Sequence, residues 1–216
     1  ELYISAADQG NALAQNHLGN VFQEGVGVQK DLEKALRYFR AAAAQGLSPA
    51  IYNVGVYYEQ GRSVDQALAQ AKVGAFYLNG IGTHRDAVAA RSWFDLSAKQ
   101  GFVPAQTQLG LLYEQGVGVE RNLRTAAQLF SLASDRGDVG ATLKLASYYA
   151  DGIGVEADLV KAYTLSGSVA ENSEQAAALQ AKIKGQLTGA QVAEADKAIA
   201  DIKAGRKRGT ARAAAE

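Results

Sequence analysis

The sequence predicts an all-α fold, an array of antiparallel helix pairs stacked with a period of 36 residues. Three observations predict it. Glycines recur in registers: Gly25, Gly61, Gly80, Gly116 and Gly152 lie 36, 19, 36 and 36 residues apart, and Gly19, Gly55, Gly74 and Gly110, followed by Ala146, repeat that series. A third register, Gly10, Gly46, Gly101 and Gly137, gives 36, 55 and 36, where 55 is one full period plus the short interval. Apolar and small residues fall at i, i+4 and i+8, the stripe of an amphipathic helix. Finally, each repeat carries a glycine stop followed by an Asp or Asn, the punctuation of one helix ending and another beginning.

The elements follow in order. The opening "ELYISAADQG" matches the second half of "LRYFRAAAAQG" when the two are aligned on glycine, so the chain is expected to begin inside a helix, as part of something longer. The first helix of each repeat (helix A) carries Ala14, Leu18 and Phe22, then Ala50, Val54 and Tyr58, then Ala105, Leu109 and Tyr113. A glycine after the leucine position weakens a helix by about 1 kcal/mol relative to alanine. Its recurrence predicts a neighbour so close that a side chain would be in the way. Helix A stops at "EGVGVQKD", "NGIGTHRD", "QGVGVERN" and "DGIGVEAD", where glycine supplies a left-handed cap and the apolar residue after it can fold back onto the helix. Asp31, Asp86, Asn122 and Asp158 then cap the second helix (helix B), which repeats as "LEKALRYFRAAAAQG", "AVAARSWFDLSAKQG" and "LRTAAQLFSLASDRG".

One repeat is 17 residues short. The pattern holds through Gly61 to about Gln66 and resumes near Ala67 as the next helix A, without an intervening helix B. An unpartnered helix A would expose apolar surface in mid-stack, at a cost of several kcal/mol given ~25 cal/mol per Å². The sequence reading therefore expects residues to be missing there and a chain break near Gln66 and Ala67. The array should occupy residues 1–170. Two capping helices should follow over 171–204, the second opened by Thr188 and Gln191 as a capping box, with Ala195, Ala198, Ile199 and Ile202 covering the last repeat's open face. A basic tail, 205–216, should fray.

Charge and composition narrow the chemistry. Lys plus Arg and Asp plus Glu number 22 each, so no global field draws nucleic acid or anionic lipid. Lys203, Arg206, Lys207, Arg208 and Arg212 against Glu216 make a basic end, read as a solvated tail. No cysteine is present, which excludes disulfide scaffolds, zinc–thiolate sites and thiol catalysis and is compatible with cytoplasm and periplasm alike. No run of ~18 apolar residues predicts a membrane span, and no basic stripe predicts nucleic-acid binding. His17 and His84 stand alone in different repeats. The GxG loops recur once per repeat after a helix and lack the GK[ST] ending of a phosphate loop, so they read as turns. Trp93 and the pairs Tyr57–Tyr58 and Tyr148–Tyr149 read as core, with Tyr58 and Tyr149 at or next to packing positions. No catalytic residue, metal ligand or cofactor is expected.

"LGNVFQEGVGVQKDLEKALRYFRAAAAQG" and "LGLLYEQGVGVERNLRTAAQLFSLASDRG" resemble the Sel1-like repeat family, related to tetratricopeptide repeats. The resemblance covers roughly residues 1–165. It implies a right-handed α-α superhelix, a solenoid acting as a protein–protein interaction scaffold or adaptor, in bacteria often in signalling, envelope or host-contact roles. A cysteine-rich subgroup is associated with β-lactam binding; its cysteines are absent here. By analogy with the tetratricopeptide groove, a protein or peptide partner should lie along the concave helix-A face. Three columns line it: Asn16, Tyr52, Ala71, Thr107 and Leu143; Asn20, Val56, Ala75, Leu111 and Ser147; Gln23, Glu59, Leu78, Glu114 and Ala150. Tyr52, Val56, Leu78, Leu111 and Leu143 are the expected anchors, with Asn16, Asn20, Thr107 and Glu114 among their polar neighbours. The alternatives are a structural spacer, such as a periplasmic region of an envelope or polarity factor, and an enzyme or binder for cell-wall material or β-lactams. Between the compartments, the periplasm is slightly preferred.

Overall fold

The computed structural model describes residues 2–59, 66–81 and 84–213. Twelve α-helices and one short 3-10 turn account for the regular structure of these residues, and no strand occurs among them. In chain order the helices are α1 (Leu2–Asp8), α2 (Ala12–Glu24), α3 (Leu32–Ala44), α4 (Ser48–Glu59), α5 (Gln66–Asn79), α6 (Ala87–Lys99), α7 (Val103–Gln115), α8 (Leu123–Asp135), α9 (Val139–Asp151), α10 (Leu159–Val169), α11 (Glu174–Lys184) and α12 (Gly189–Ala213). The chain forms two compact units, Glu1–Ala105 with Val117–Val119, and Gln106–Gly116 with Glu120–Glu216.

Local chemistry sets the helix boundaries. Gly25, Gly80, Gly116 and Gly152 end their A helices at φ of 75°, 70°, 72° and 68°, the left-handed region that a side chain resists. The next residue's N–H then reaches five residues back, from Val26 to the Val21 carbonyl and from Ile153 to the Tyr148 carbonyl. The expected fold-back of that residue's side chain is incomplete: Val26 and Ile81 stay exposed. Gly61 lies outside the described residues. At each helix-B start the cap side chain accepts a backbone N–H: Asp31 from Lys34, Asp86 from Val88 and Ala89, Asn122 from Thr125, Asp158 from Lys161. Thr188 and Gln191 form the reciprocal capping box, each side chain accepting the other's N–H at 3.3 and 2.9 Å.

The helical glycines face aromatic rings, as their placement predicts. A Cβ on Gly19 would collide with the Phe39 ring; one on Gly110 would fall 2.7 Å from Phe130 Cε1, and one on Gly74 3.1 Å from Phe94. The three phenylalanines are buried on helix B. The absent side chain lets helix A and helix B approach closely enough to exclude water from the ring between them.

The short repeat is closed differently from expectation. Helix α5 runs unbroken from Gln66 through Ala67, so no discontinuity separates these residues; residues 60–65 lie outside the described set. Gly55, in the repeat without its own helix B, is covered by Trp93 of α6. A Cβ at Gly55 would stand 2.7 Å from the indole Cη2. Trp93 sits one residue before Phe94, so α6 presents two adjacent aromatics, Phe94 to its own repeat and Trp93 to the repeat that lacks a partner. With α3 on its other side and α5 beside it, α4 buries Ala50, Ile51, Val54 and Tyr57, and the expected exposure penalty is largely avoided. The Tyr57 hydroxyl donates to the Leu32 carbonyl at 2.6 Å.

In the C-terminal unit, α12 lies over α10 and closes its open face. Ala195 and Ile199 join Ala162, Tyr163 and Ile183 in one cluster, while Ala198 and Ile202 are half-buried. The backbone stays helical to Ala213, past Gly205 where the sequence reading placed the onset of fraying.

Candidate functional site

In the N-terminal unit, α2, α4 and α5 position the expected contact columns. Tyr52 is 59% exposed, and Asn16, Asn20, Val56 and Leu78 are half-buried. Asn16 is not an independent rim residue, because its side-chain oxygen accepts from Asn53 Nδ2 at 3.2 Å across two successive A helices. Ala71 is buried outright. The Glu59 side chain lies outside the described residues.

In the C-terminal unit, α7 and α9 carry Thr107, Leu111 and Leu143, all half-buried. Glu114 serves an internal role. Its carboxylate accepts from Lys144 Nζ at 2.9 and 3.1 Å and from the Tyr148 hydroxyl at 3.0 Å, which ties α7 to α9. With Lys144 and Glu114 side chains 44% and 18% exposed, the ion pair is partly screened. Lys144, Asn53, His17 and Lys72 share one column, two residues before the repeat glycine, which the sequence reading passed over. Its polarity at fixed spacing was the signal that could have found it. A second set of rungs also escaped it: Gln45 donates to Gln15 at 2.8 Å and Gln100 to Gln70 at 2.5 Å, each across 30 residues.

The tyrosines divide differently from expectation. Tyr57 and Tyr148 are the buried members of their pairs and Tyr149 is half-buried, while the Tyr58 side chain lies outside the described residues. Burial, the hydrogen bond to Glu114 and that residue's charge push the Tyr148 hydroxyl far above the ordinary 10.0. Burial, with Asp196 as acceptor, raises Tyr163 too. The sign is set by ionisation: the unfolded tyrosine deprotonates near its ordinary value while the folded one resists. The stability linked to this shift is therefore complete below pH 10 and lost as pH rises above it. Chemical denaturation of the parent between pH 8 and 11 should show this loss, and the loss should be shallower in Tyr148→Phe. Parallel curves would disprove the linkage.

His17 lies beside Tyr3, ring centroids 4.2 Å apart, and His84 is exposed just before α6. Among the described residues no group of three His, Asp or Glu side chains gathers to hold a metal, and no helix is long and apolar enough to cross a membrane. What recurs is a surface, similar in backbone from repeat to repeat and varied in side chain, which defines a helical-repeat scaffold of a typically non-catalytic kind.

The Sel1 repeat family model matches residues 1–11, 12–47, 48–66, 67–102, 103–138 and 139–178, and the chain belongs to the Sel1-repeat family. A putative sel1-like repeat-containing protein of Acanthamoeba polyphaga mimivirus is 44% identical over 48 residues, 22% of this chain and 9% of that protein. Among solved structures, c5321, a protective antigen present in uropathogenic Escherichia coli strains and displaying an SLR fold, shares 28% identity over 93% of this chain, with a TM-score of 0.59. The Sel1 repeat protein from Oxalobacter formigenes is 31% identical over 76% of this chain and 75% of its own length, with a TM-score of 0.47. The chain spans 47% of the c5321 chain, so it matches about half of that antigen. The fold class is thus the all-α solenoid of Sel1-like helix pairs, and proteins of this family generally mediate protein–protein interaction.

Proposed function

We propose that the chain is an adaptor that binds a peptide or protein partner along its helix-A face, in bacterial signalling or cell-envelope organisation. The observation that carries this reading is Tyr52. It is a large aromatic ring left 59% exposed in a column where the other repeats vary freely in size and polarity. Exposed aromatics of this kind are preferred interface anchors. Val56 beside it, and Leu111 and Leu143 in the C-terminal unit, extend the same apolar character. The envelope setting draws support from the similarity to a protective antigen of uropathogenic strains.

A second reading, a structural spacer, draws support from Asn16 and Glu114, whose side chains are committed to bonds between repeats. One experiment separates the two. Immobilised parent and Tyr52→Ala/Leu111→Ala proteins are compared for captured partners by quantitative mass spectrometry, with circular dichroism as a check on folding. The adaptor reading expects a specifically retained protein to fall at least about tenfold in the double variant, the equivalent of ~1.4 kcal/mol. Equal recovery from both baits favours the spacer.

A further inference from the structure

The layer of B helices has a vacancy. Between α3 and α5, on the side where the 17-residue shortfall removes a helix B, runs an apolar cleft of about 470 Å³. Ala43 of α3, Val54 of α4, and Leu68, Val73 and Phe76 of α5 contribute to its walls. Leu68 is 39% exposed there, and Ile81 at one end is 44% exposed. Val54 and Val73 stand immediately before repeat glycines. The same column in the first repeat is Leu18, which clusters with Ala7 of α1 and Tyr38 of α3. The cleft therefore presents to solvent a surface that complete repeats cover with helix B.

From this arrangement we infer that the cleft is a second docking site and that its occupant is an amphipathic, acidic α-helix of a partner protein. Three features specify that helix. Its length follows from α3, α6 and α8, which are 13 residues each, or about 20 Å of helix. Its contact stripe must be small and aliphatic, because Trp93 already covers Gly55, where a complete repeat would place its own helix-B aromatic. Its flank must carry carboxylates: the two ionisable residues among the described lining residues, Arg40 and Lys72, are both basic. Docking of this kind is recognition of a helix in a groove, read by anchors three and four residues apart. Here the groove is the place of a missing repeat element.

The probe is a synthetic peptide of residues 31–46 carrying Phe39→Ala, Arg37→Glu and Arg40→Glu, with blocked ends. Trp93, the chain's one tryptophan, borders the short repeat and serves as the reporter. Saturable binding with a change in Trp93 emission is expected. It should weaken at least about tenfold in Lys72→Glu and in Leu68→Glu. A peptide with lysine at both acidic positions should prefer the Lys72→Glu protein, which a merely damaged fold would not produce. The Tyr52→Ala/Leu111→Ala protein should bind the acidic peptide like the parent, so the outcome is separate from that for the helix-A face. The inference is overturned by any of three results: no saturation at concentrations on the order of 1 mM, indifference to both cleft substitutions in proteins that keep their helicity, or loss of binding in the helix-A double variant.

Discussion

Phe130→Ala is expected to lower the stability of the C-terminal unit by about 3–5 kcal/mol. The ring is fully buried, lies over Gly110, and meets Tyr148 edge-on with centroids 5.7 Å apart. Its removal forfeits the transfer free energy of a phenyl group and leaves a cavity that the rigid glycine-bearing helix cannot easily fill. Against typical domain stabilities of about 5–15 kcal/mol, a loss of this size is enough to unfold the unit under mild conditions. Repeat arrays couple mainly between neighbours, so hydrogen exchange should accelerate first in α7–α9. The complementary substitution, Gly110→Ala, should cost about 1–3 kcal/mol by overpacking. A double-mutant cycle should show strong coupling, because the added methyl group enters space that the lost ring has vacated. Additive effects, or a loss below about 1 kcal/mol for Phe130→Ala, would contradict the packing described here.

Trp93→Ala should produce the second large effect, about 2–3 kcal/mol in the N-terminal unit, set below the fully buried value because the indole is only half-buried. The loss should appear in α4, whose Gly55 the indole covers, although the substitution lies in α6. The control is Leu129→Ala, at the same place in a repeat that has its own helix B. It is also half-buried, and its replacement should cost less. Urea denaturation followed by circular dichroism tests both. Equal losses at the two positions would remove the special role assigned to the indole.

Much of the architecture was legible because it rests on short-range chemistry. The caps at Asp31, Asp86, Asn122 and Asp158 need only a side-chain oxygen and an amide two or three residues away. The Thr188–Gln191 box is equally local. The small residues at positions 19, 74 and 110 announced close helix contacts, and the rings of Phe39, Phe94 and Phe130 supply them. The contact face was less legible. Asn16 and Glu114 looked like solvent-facing residues of their own helices, yet each is occupied by a side chain from a later repeat. No single-helix pattern reveals a partner 30 or more residues away.

By itself, then, the amino-acid order determined the period, the helix ends and the kinship with Sel1 repeats, since spacing, capping and glycine conformation act within a few residues. Only the tertiary structure decided how the short repeat closes. That outcome depends on whether a bulky side chain from another helix reaches Gly55, and the reach of Trp93 from α6 is a property of how α4, α5 and α6 pack together. The same packing decided that Tyr57 and Tyr148, rather than their neighbours, turn inward, because a solenoid's interior is defined by the adjoining layer as much as by the helix that faces it.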